Sequence, residues 1–257
     1  MITSGVDVGN KFTKVVIMKD GQVLAKSMVL SGFEQKIAAA EAYEQALKES
    51  ALDKEDVHCV VATGAGKNEV IFANESVSEV GASARGAVYF NPAARTVIEV
   101  GAEEGRASKC DEKGKIIDFA INEKCAAGAG SFIEAMARAL EVPLEEMGPM
   151  ALKSTKNIPM NAQCAVFAES EVVSLIHART SKEDISKAVH DAMAARVISM
   201  TRRVGIEKDV VLVGGVGNNV GFVKSLEDGL GVEVFVPENP EFVGAIGAAL
   251  IAREIDR

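Results

Sequence analysis

The sequence predicts an α/β protein made of two halves of similar design. The halves share a pattern in which an acidic strand end is followed by a strand and a tight turn: Asp7 lies 14 residues before Gly21, and Glu99 lies 15 residues before Gly114. In addition, apolar runs typical of buried strands alternate with stretches of helical periodicity. We therefore expect one strand meander to occur twice, each copy followed by helices.

Local patterns assign the elements of the first half. Asp20-Gly21 is a strong hairpin turn between two apolar runs, and Asn91-Pro92 stops a helix. The predicted elements are strands at 3–8, 11–18 and 22–30, a helix at 33–52, a strand at 57–62 and a short helix at 81–90. The tip Asp7-Val8-Gly9 then follows the first strand.

The second half shows the same order and adds helices. Its predicted elements are strands at 96–100, 106–110 and 115–121, helices from 131, at 143–153, at 165–178 and from 182, a strand at 209–213, a helix through 226, a strand at 232–236 and a final helix. We place one domain at residues 1–92 and the other at 93–257. The last helix, within 241–257, is expected to pack back on the first domain.

Composition excludes several classes of function. The 257 residues are 48% hydrophobic, enough for sizeable cores, and the net charge of −9 disfavours nucleic acid as a partner. No basic leader or apolar run of about 18 residues predicts a signal peptide or a membrane span, so the cytoplasm is the expected location. Four cysteines are too few for a disulfide scaffold in a protein this large, which leaves reduced thiols or metal ligands.

Two glycine turns are candidate phosphate and nucleoside contacts. In the first, Gly9 permits close backbone approach and Asp7 suits a hydrated Mg²⁺, although such a strand end is more often an ordinary turn. In the second, Gly214-Gly215 follows an apolar strand and precedes Asn218. Together with the repeated meander, these turns favour the fold of the actin, hexokinase and 70-kDa chaperone superfamily, in which two ribonuclease H-like halves close on a nucleotide cleft.

Two cysteines each precede a stretch of helical periodicity. Cys125 is followed by small residues, among them Gly128 and Gly130, whose amides are expected to face an anion, and Ser131 with Glu134 predicts a capping box. Cys164 lies 39 residues further on. Buried filling of small holes is the plainer interpretation of both thiols. If they bind a four-cysteine iron–sulfur cluster instead, two subunits must each supply two thiolates across a two-fold axis.

With these motifs in place, the chain resembles a known family: the ATPase activators of 2-hydroxyacyl-CoA dehydratases together with the ATP-binding subunits of benzoyl-CoA reductase. The resemblance covers nearly the whole chain. It rests on the segments GVDVGNKFTK, ATGAG, NEKCAAGAGSFIE, CAVFAESEV, ARVISMTRRVGI, VVLVGGVGNN and GAIGAAL. The two cysteine segments are the specific part, since other members of the superfamily lack them.

The resemblance implies roles for individual residues. It implies a 4Fe–4S cluster shared between two identical or homologous subunits, with Cys125 and Cys164 of each as ligands, and ATP with Mg²⁺ in the cleft. The residues expected to bind nucleotide are Asp7, Gly9, Asn10, Lys11 and Thr13 in the first phosphate motif, Gly101 and Ala102 in the second, and Gly214, Gly215 and Asn218 in the nucleoside motif. ATP hydrolysis would drive an electron from ferredoxin through the cluster to acyl-CoA reductase or dehydratase subunits.

One motif departs from the family pattern. Dehydratase activators usually carry Asp-x-Gly-Gly-Gln-Asp in the second phosphate motif, whereas this chain has Glu-Val-Gly-Ala-Glu-Glu at 99–104. We take Asp7, Glu99 and Glu103 as candidate catalytic residues, and expect the changes to affect hydrolysis or γ-phosphate binding. Because the motif is also degenerate in the smaller ATPase subunit of benzoyl-CoA reductase, the sequence analysis favours that subunit, with the dehydratase activator as the alternative.

Two rival functions remain open on the sequence. A small-molecule kinase of the same fold would use Glu99 to deprotonate an acceptor hydroxyl, but it leaves both cysteine segments unexplained. A scaffold that binds a cluster and nucleotide while hydrolysing slowly is compatible with the altered second motif.

Overall fold

Two five-stranded sheets of the same topology form the framework of the protein. The computed structural model describes residues 1–122, 128–160 and 164–255. The first sheet has the strand order β3-β2-β1-β4-β5, and the second has the order β10-β9-β6-β7-β8. If β6 is matched to β1, each strand of the second sheet has its counterpart in the first. The predicted duplication is thus present, and it extends beyond the meander to two parallel strands on the other side of each first strand.

The strands of the described chain are β1 (Ile2–Val8), β2 (Phe12–Lys19), β3 (Gln22–Leu30), β4 (Cys59–Thr63), β5 (Glu75–Ser76), β6 (Thr96–Val100), β7 (Gly105–Cys110), β8 (Ile116–Asn122), β9 (Val210–Val213) and β10 (Val234–Phe235). The α-helices are α1 (Gln35–Ser50), α2 (Glu79–Phe90), α3 (Gly130–Ala139), α4 (Leu144–Ala151), α5 (Ala165–His177), α6 (Lys182–Val204), α7 (Val220–Leu230) and α8 (Val243–Ile255). These bounds lie close to the predicted ones because alternating and helical apolar patterns are strong along most of the chain.

Each sheet is covered on both faces. In the first sheet, α1 packs on one face around Val6, Val15 and Tyr43, and α8 packs on the other. In the second sheet, α2 covers one face, while the largest core forms on the opposite face with α3, α4, α6 and α7. Burial of both faces explains why the central strands are continuous apolar runs.

Helices α2 and α8 join the two sheets. Helix α8, at the end of the chain, packs against β1, β2 and β4, whereas α2, which precedes the second half, packs against β6 to β9. The two helices also contact each other along their length, and small residues allow this close approach: a Cβ built on Gly247 would lie 1.8 Å from the carbonyl oxygen of Ala82. We keep the domain boundary at residues 92 and 93 as a proposal.

The predicted capping box at the start of α3 is wrong. The residue at the N-cap is Ala129, and no side chain caps the helix. Glu134 instead forms an ion pair with Lys11, far away in sequence. A distant charge has therefore recruited the side chain that the local pattern assigned to the helix end.

Within the part of the chain that the structure describes, no helix combines the length and the apolar character needed to cross a lipid bilayer.

We predict that Gly247→Ala destabilises the protein by about 2–3 kcal/mol, because the added methyl group meets the backbone of α2 and must push the helices apart. Chemical denaturation measures this change. Gly215→Ala is the matched control, since a Cβ there meets no atom within 4 Å. Equal unfolding midpoints for the two variants would show that the α2–α8 contact is not tightly packed.

Candidate active site in the cleft between the sheets

A cavity of about 640 Å³ lies between the two sheets. Most of the residues predicted to bind nucleotide or act in catalysis line it: Asp7, Gly9, Asn10, Lys11, Glu99, Gly101, Ala102, Glu103, Gly130, Gly214, Gly215 and Asn218. The β1–β2 turn, the β6–β7 turn, the end of β9 and the start of α3 bring them together. Two predicted residues, Thr13 and Gly128, are not among the lining residues.

Thr13 supports the first turn from below. Its hydroxyl is buried on β2 and hydrogen-bonds the hydroxyl of Ser31 at 2.9 Å. Ser31 in turn donates to the carbonyl oxygen of Gly9 at 2.6 Å, and its amide donates to the carbonyl of Lys11 at 3.0 Å. The structure therefore gives Thr13 a role in shaping the turn rather than a place in the cavity wall.

The two strand-end acids face the same cavity from opposite sheets. Lys14 donates to Asp7 at 3.0 Å, and both side chains are mostly buried. Glu99 accepts a hydrogen bond from the Ser83 hydroxyl at 3.0 Å and is 18% exposed. Burial, together with the negative charge of Asp7, raises the pKa of Glu99 to about 7, so this carboxyl group exchanges protons near neutral pH.

Arg106 is a site residue that the sequence analysis missed. Its guanidinium lies 3.5 Å from Glu99 and also pairs with Glu79 and Glu104. These partners come from α2, β6 and the β6–β7 turn. An arginine inside a strand gives no local signal of this cluster, because its carboxylates are assembled only when α2 packs on the second sheet.

The cavity carries an excess of negative charge. Among the described residues, eight carboxylates line it, against two lysines and one arginine. A polyphosphate would be repelled by this wall unless a divalent cation entered with it. The charge pattern is therefore compatible with a nucleotide bound together with Mg²⁺.

The glycine turn after β9 forms the opposite wall. Gly214 has φ of +88°, and a Cβ there would lie 2.4 Å from the carbonyl oxygen of Val100, so only glycine fits. Asn218 donates through its side-chain amide to Glu241 at 2.9 Å, which fixes its orientation at the cavity edge. A flat, side-chain-free surface beside an oriented amide suits a nucleoside.

The start of α3 is tied to the β6–β7 turn. The amides of Gly130 and Ser131 donate to the carbonyl oxygens of Gly101 and Ala102 at 2.9 and 2.8 Å. These two amides are thus engaged within the chain, contrary to the expectation that the glycine turn presents its amides to an anion. Gly128 is buried on the far side of this junction, where a Cβ on Gly105 would lie 2.9 Å from its carbonyl oxygen.

The cysteines lie in different environments. Cys164 is exposed at the N-cap of α5, while Cys59 and Cys110 are buried in the sheets. Cys125 lies outside the described residues. Just beyond Cys164, α5 exposes Val166, Phe167, Val173 and Ile176, and Phe167 is 71% exposed. Within the described ranges, no three His, Cys, Asp or Glu side chains of one chain are grouped to hold a metal ion.

Two duplicated sheets with acidic turns facing one cavity define an α/β ATPase-type protein of the actin and hexokinase class. A ROK family glucokinase from Streptomyces griseus shows the same fold, with a TM-score of 0.62 at 16% identity over 99% of this chain and 100% of the other. This likeness concerns the fold alone.

The chain belongs to the BadF/BadG/BcrA/BcrD ATPase family, which matches residues 4–252. It is 41% identical to the activator of lactoyl-CoA dehydratase from Anaerotignum propionicum, over 99% of this chain and 98% of that protein. The crystal structure of (R)-2-hydroxyglutaryl-CoA dehydratase component A from Acidaminococcus fermentans superposes with a TM-score of 0.96 at 39% identity, covering 100% and 99% of the two chains. The activator of 2-hydroxyisocaproyl-CoA dehydratase from Clostridium difficile, with bound ADPNP, gives 0.93 at 35% identity, covering 100% and 96%.

The comparisons correct one preference of the sequence analysis. A benzoyl-CoA reductase polypeptide from Thauera aromatica is 33% identical over 97% of this chain and 92% of that protein, less than the dehydratase activators named above. The degenerate second motif pointed to the reductase because it is a short local feature. Over the whole chain, similarity to the activators is greater.

We predict that the wild type loses stability relative to Glu99→Gln as pH rises from about 4.5 to about 7. The folded state holds the Glu99 proton more tightly than the unfolded state does, so raising the pH through this window favours unfolding, by up to about 3 kcal/mol. Urea unfolding without Mg²⁺ at several pH values measures the difference. Glu145→Gln, at an exposed acid of the same cavity, is the control. A difference that does not change with pH would contradict the raised pKa.

We predict that Ser31→Ala weakens Mg²⁺–nucleotide binding about fivefold and lowers stability by about 1–2 kcal/mol, since it leaves the Gly9 carbonyl without its hydroxyl donor. Equilibrium titration with a fluorescent ATP analogue and chemical denaturation provide the two readouts. Ser50→Ala, whose hydroxyl bonds only carbonyls of its own helix, is the control. Unchanged nucleotide affinity in Ser31→Ala would remove Thr13 and Ser31 from the support of this turn.

Proposed function

We propose that the protein is the ATP-hydrolysing activator, or component A, of a 2-hydroxyacyl-CoA dehydratase. The observation that carries this proposal is the exposed Cys164 at the start of α5, beside exposed apolar side chains, on an ATPase fold. A nucleotide-binding cleft alone would fit many enzymes of this fold. The exposed thiol and its apolar surroundings instead call for a second subunit and a shared group, and the similarity to dehydratase activators supports the same partner class.

The cleft residues fit ATP with Mg²⁺. In the proposed arrangement, Asp7 holds the hydrated Mg²⁺, the turns at Gly9–Lys11 and Gly101–Ala102 surround the phosphates, and the turn at 214–218 contacts the nucleoside. Hydrolysis adds water to the γ-phosphorus and breaks its bond to the ADP oxygen. A carboxylate that orients this water and accepts its proton is needed at the β6–β7 turn, where Glu99 and Glu103 lie.

The cysteines would hold a 4Fe–4S cluster between two subunits, identical or homologous. Cys164 of each subunit is accessible at a helix N-terminus, where the helix dipole favours a thiolate, and Cys125 would complete the set of four. When bound, the cluster supplies one-electron transfer from ferredoxin to the dehydratase subunits. The apolar face of α5 would be covered in the dimer, which explains why Val166 and Phe167 can remain exposed in one chain.

The ATPase subunit of benzoyl-CoA reductase remains a second candidate on one observation. The chain has Glu99, Ala102, Glu103 and Glu104 where dehydratase activators usually carry Asp, Gly, Gln and Asp. A small-molecule kinase is disfavoured because it gives no role to the exposed Cys164.

We predict that the anaerobically purified protein contains about four irons per dimer, and that Cys125→Ser and Cys164→Ser each abolish this content. Iron and sulfide analysis with the visible spectrum provides the measurement. Cys59→Ala, at a buried thiol in β4, is the matched control and should keep its iron. A folded wild type that binds no iron after anaerobic reconstitution would overturn the electron-transfer function and favour the kinase.

A further inference from the structure

One ion pair crosses the cleft between the two halves of the protein. The ammonium of Lys11, in the β1–β2 turn, lies 2.7 Å from a carboxylate oxygen of Glu134, on α3. The side chains are 40% and 27% exposed, so the pair is accessible from the cavity that both residues line. The ion pair connects the proposed phosphate turn of one sheet to the helix that follows the Cys125 segment in sequence.

Helix α3 is also attached to the other phosphate turn. The amides of Gly130 and Ser131 donate to the carbonyls of Gly101 and Ala102, as described above. A second cross-cleft contact joins the turns directly, from the Asn10 amide to Glu104 at 3.2 Å. Helix α3 therefore contacts both turns, through backbone hydrogen bonds at its start and through Glu134 one turn later.

These two attachments differ in how a bound phosphate affects them. The backbone hydrogen bonds involve carbonyl acceptors, for which a phosphate does not compete. The Lys11 ammonium, in contrast, is a mobile donor on a flexible stem and can pair with a phosphate oxygen as well as with a carboxylate. A polyphosphate seated in the cleft therefore competes with Glu134 for the same cation.

We propose that Lys11 and Glu134 form a latch that nucleotide binding releases, so that occupancy of the phosphate site changes how firmly α3 is held. The inference rests on the proposed binding of nucleotide in this cleft. Glu134 acts through Lys11 and is a positioning residue, not a catalytic one. The coupling has the required physical form, since the nucleotide interacts differently with the latched and unlatched states.

A merely structural ion pair makes different predictions. Exposed pairs of this kind usually contribute little to stability, and their removal has no effect on a ligand that does not share either partner. Under the latch, removal of Glu134 leaves Lys11 available and strengthens nucleotide binding. Under a structural role, the same change leaves the affinity unaltered or lowers it.

The experiment is a double-mutant cycle on the full-length protein with Mg²⁺–ADPNP as the probe. Its variants are Glu134→Gln, Lys11→Met and the double variant, and Glu44→Gln of the exposed Lys54–Glu44 pair is the control. We expect Glu134→Gln to bind ADPNP about three- to tenfold more tightly and Lys11→Met to bind it more weakly. In the Lys11→Met background the gain from Glu134→Gln should largely disappear, which separates the latch from a general effect of removing one negative charge.

Hydrogen exchange of the α3 amides gives a second readout. In the wild type, ADPNP should speed exchange in α3, whereas in Glu134→Gln exchange should be fast already and change little with nucleotide. If ADPNP binds the wild type but Glu134→Gln shows neither effect, the latch is overturned and the nucleotide site stands. If ADPNP does not bind the wild type at all, the proposed nucleotide function and the latch both fail.

Discussion

The close crossing of α2 and α8 is the contact on which the cleft depends. Each helix packs on the sheet of one half and also against the other helix, so the two sheets are held face to face across a shared pair of helices. Small residues make this possible, because Gly247 and Gly86 let the two backbones approach more closely than any side chain would allow. The same packing brings Glu79 and Ser83 of α2 to the second sheet, where they meet Arg106 and Glu99. The geometry of the acidic site is therefore set by a contact made well outside it.

Charge within the cleft is arranged around few cations. Lys14 pairs with Asp7, Lys11 with Glu134 and Arg106 with three glutamates, so each basic group lining the cavity already has an acidic partner. A phosphate ligand must therefore exchange partners with these groups or bring Mg²⁺ to offset the carboxylates. This requirement links nucleotide binding to rearrangement of side chains that belong to both halves. It gives a physical basis for coupling between the cleft and α3, which continues in sequence from the segment of Cys125.

Much of the fold follows from local patterns, and most of the errors come from long-range contacts. The strands and their duplication could be predicted because buried strands next to hairpin turns have strong signals, as at Asp20-Gly21. The glycines of the turns could be placed for the same reason, and Gly214 indeed adopts a conformation that requires glycine. In contrast, Arg106 and the Lys11–Glu134 pair depend on side chains that are distant in sequence, and Thr13 faces Ser31 because of the β2–β3 register. The preference for the reductase gave one short motif more weight than similarity along the whole chain.

The central claim is that nucleotide in the cleft and an electron on the shared cluster influence one another. Linkage requires this influence to be reciprocal, so the oxidation state of the cluster must alter nucleotide affinity if nucleotide alters electron transfer. The most direct measurement is the dissociation constant of Mg²⁺–ADPNP for the oxidised and the reduced protein, under anaerobic conditions with iron content verified. Coupling predicts constants that differ by about fivefold or more. Equal constants in protein with a full cluster would contradict it and leave the cleft and the cysteines as independent sites.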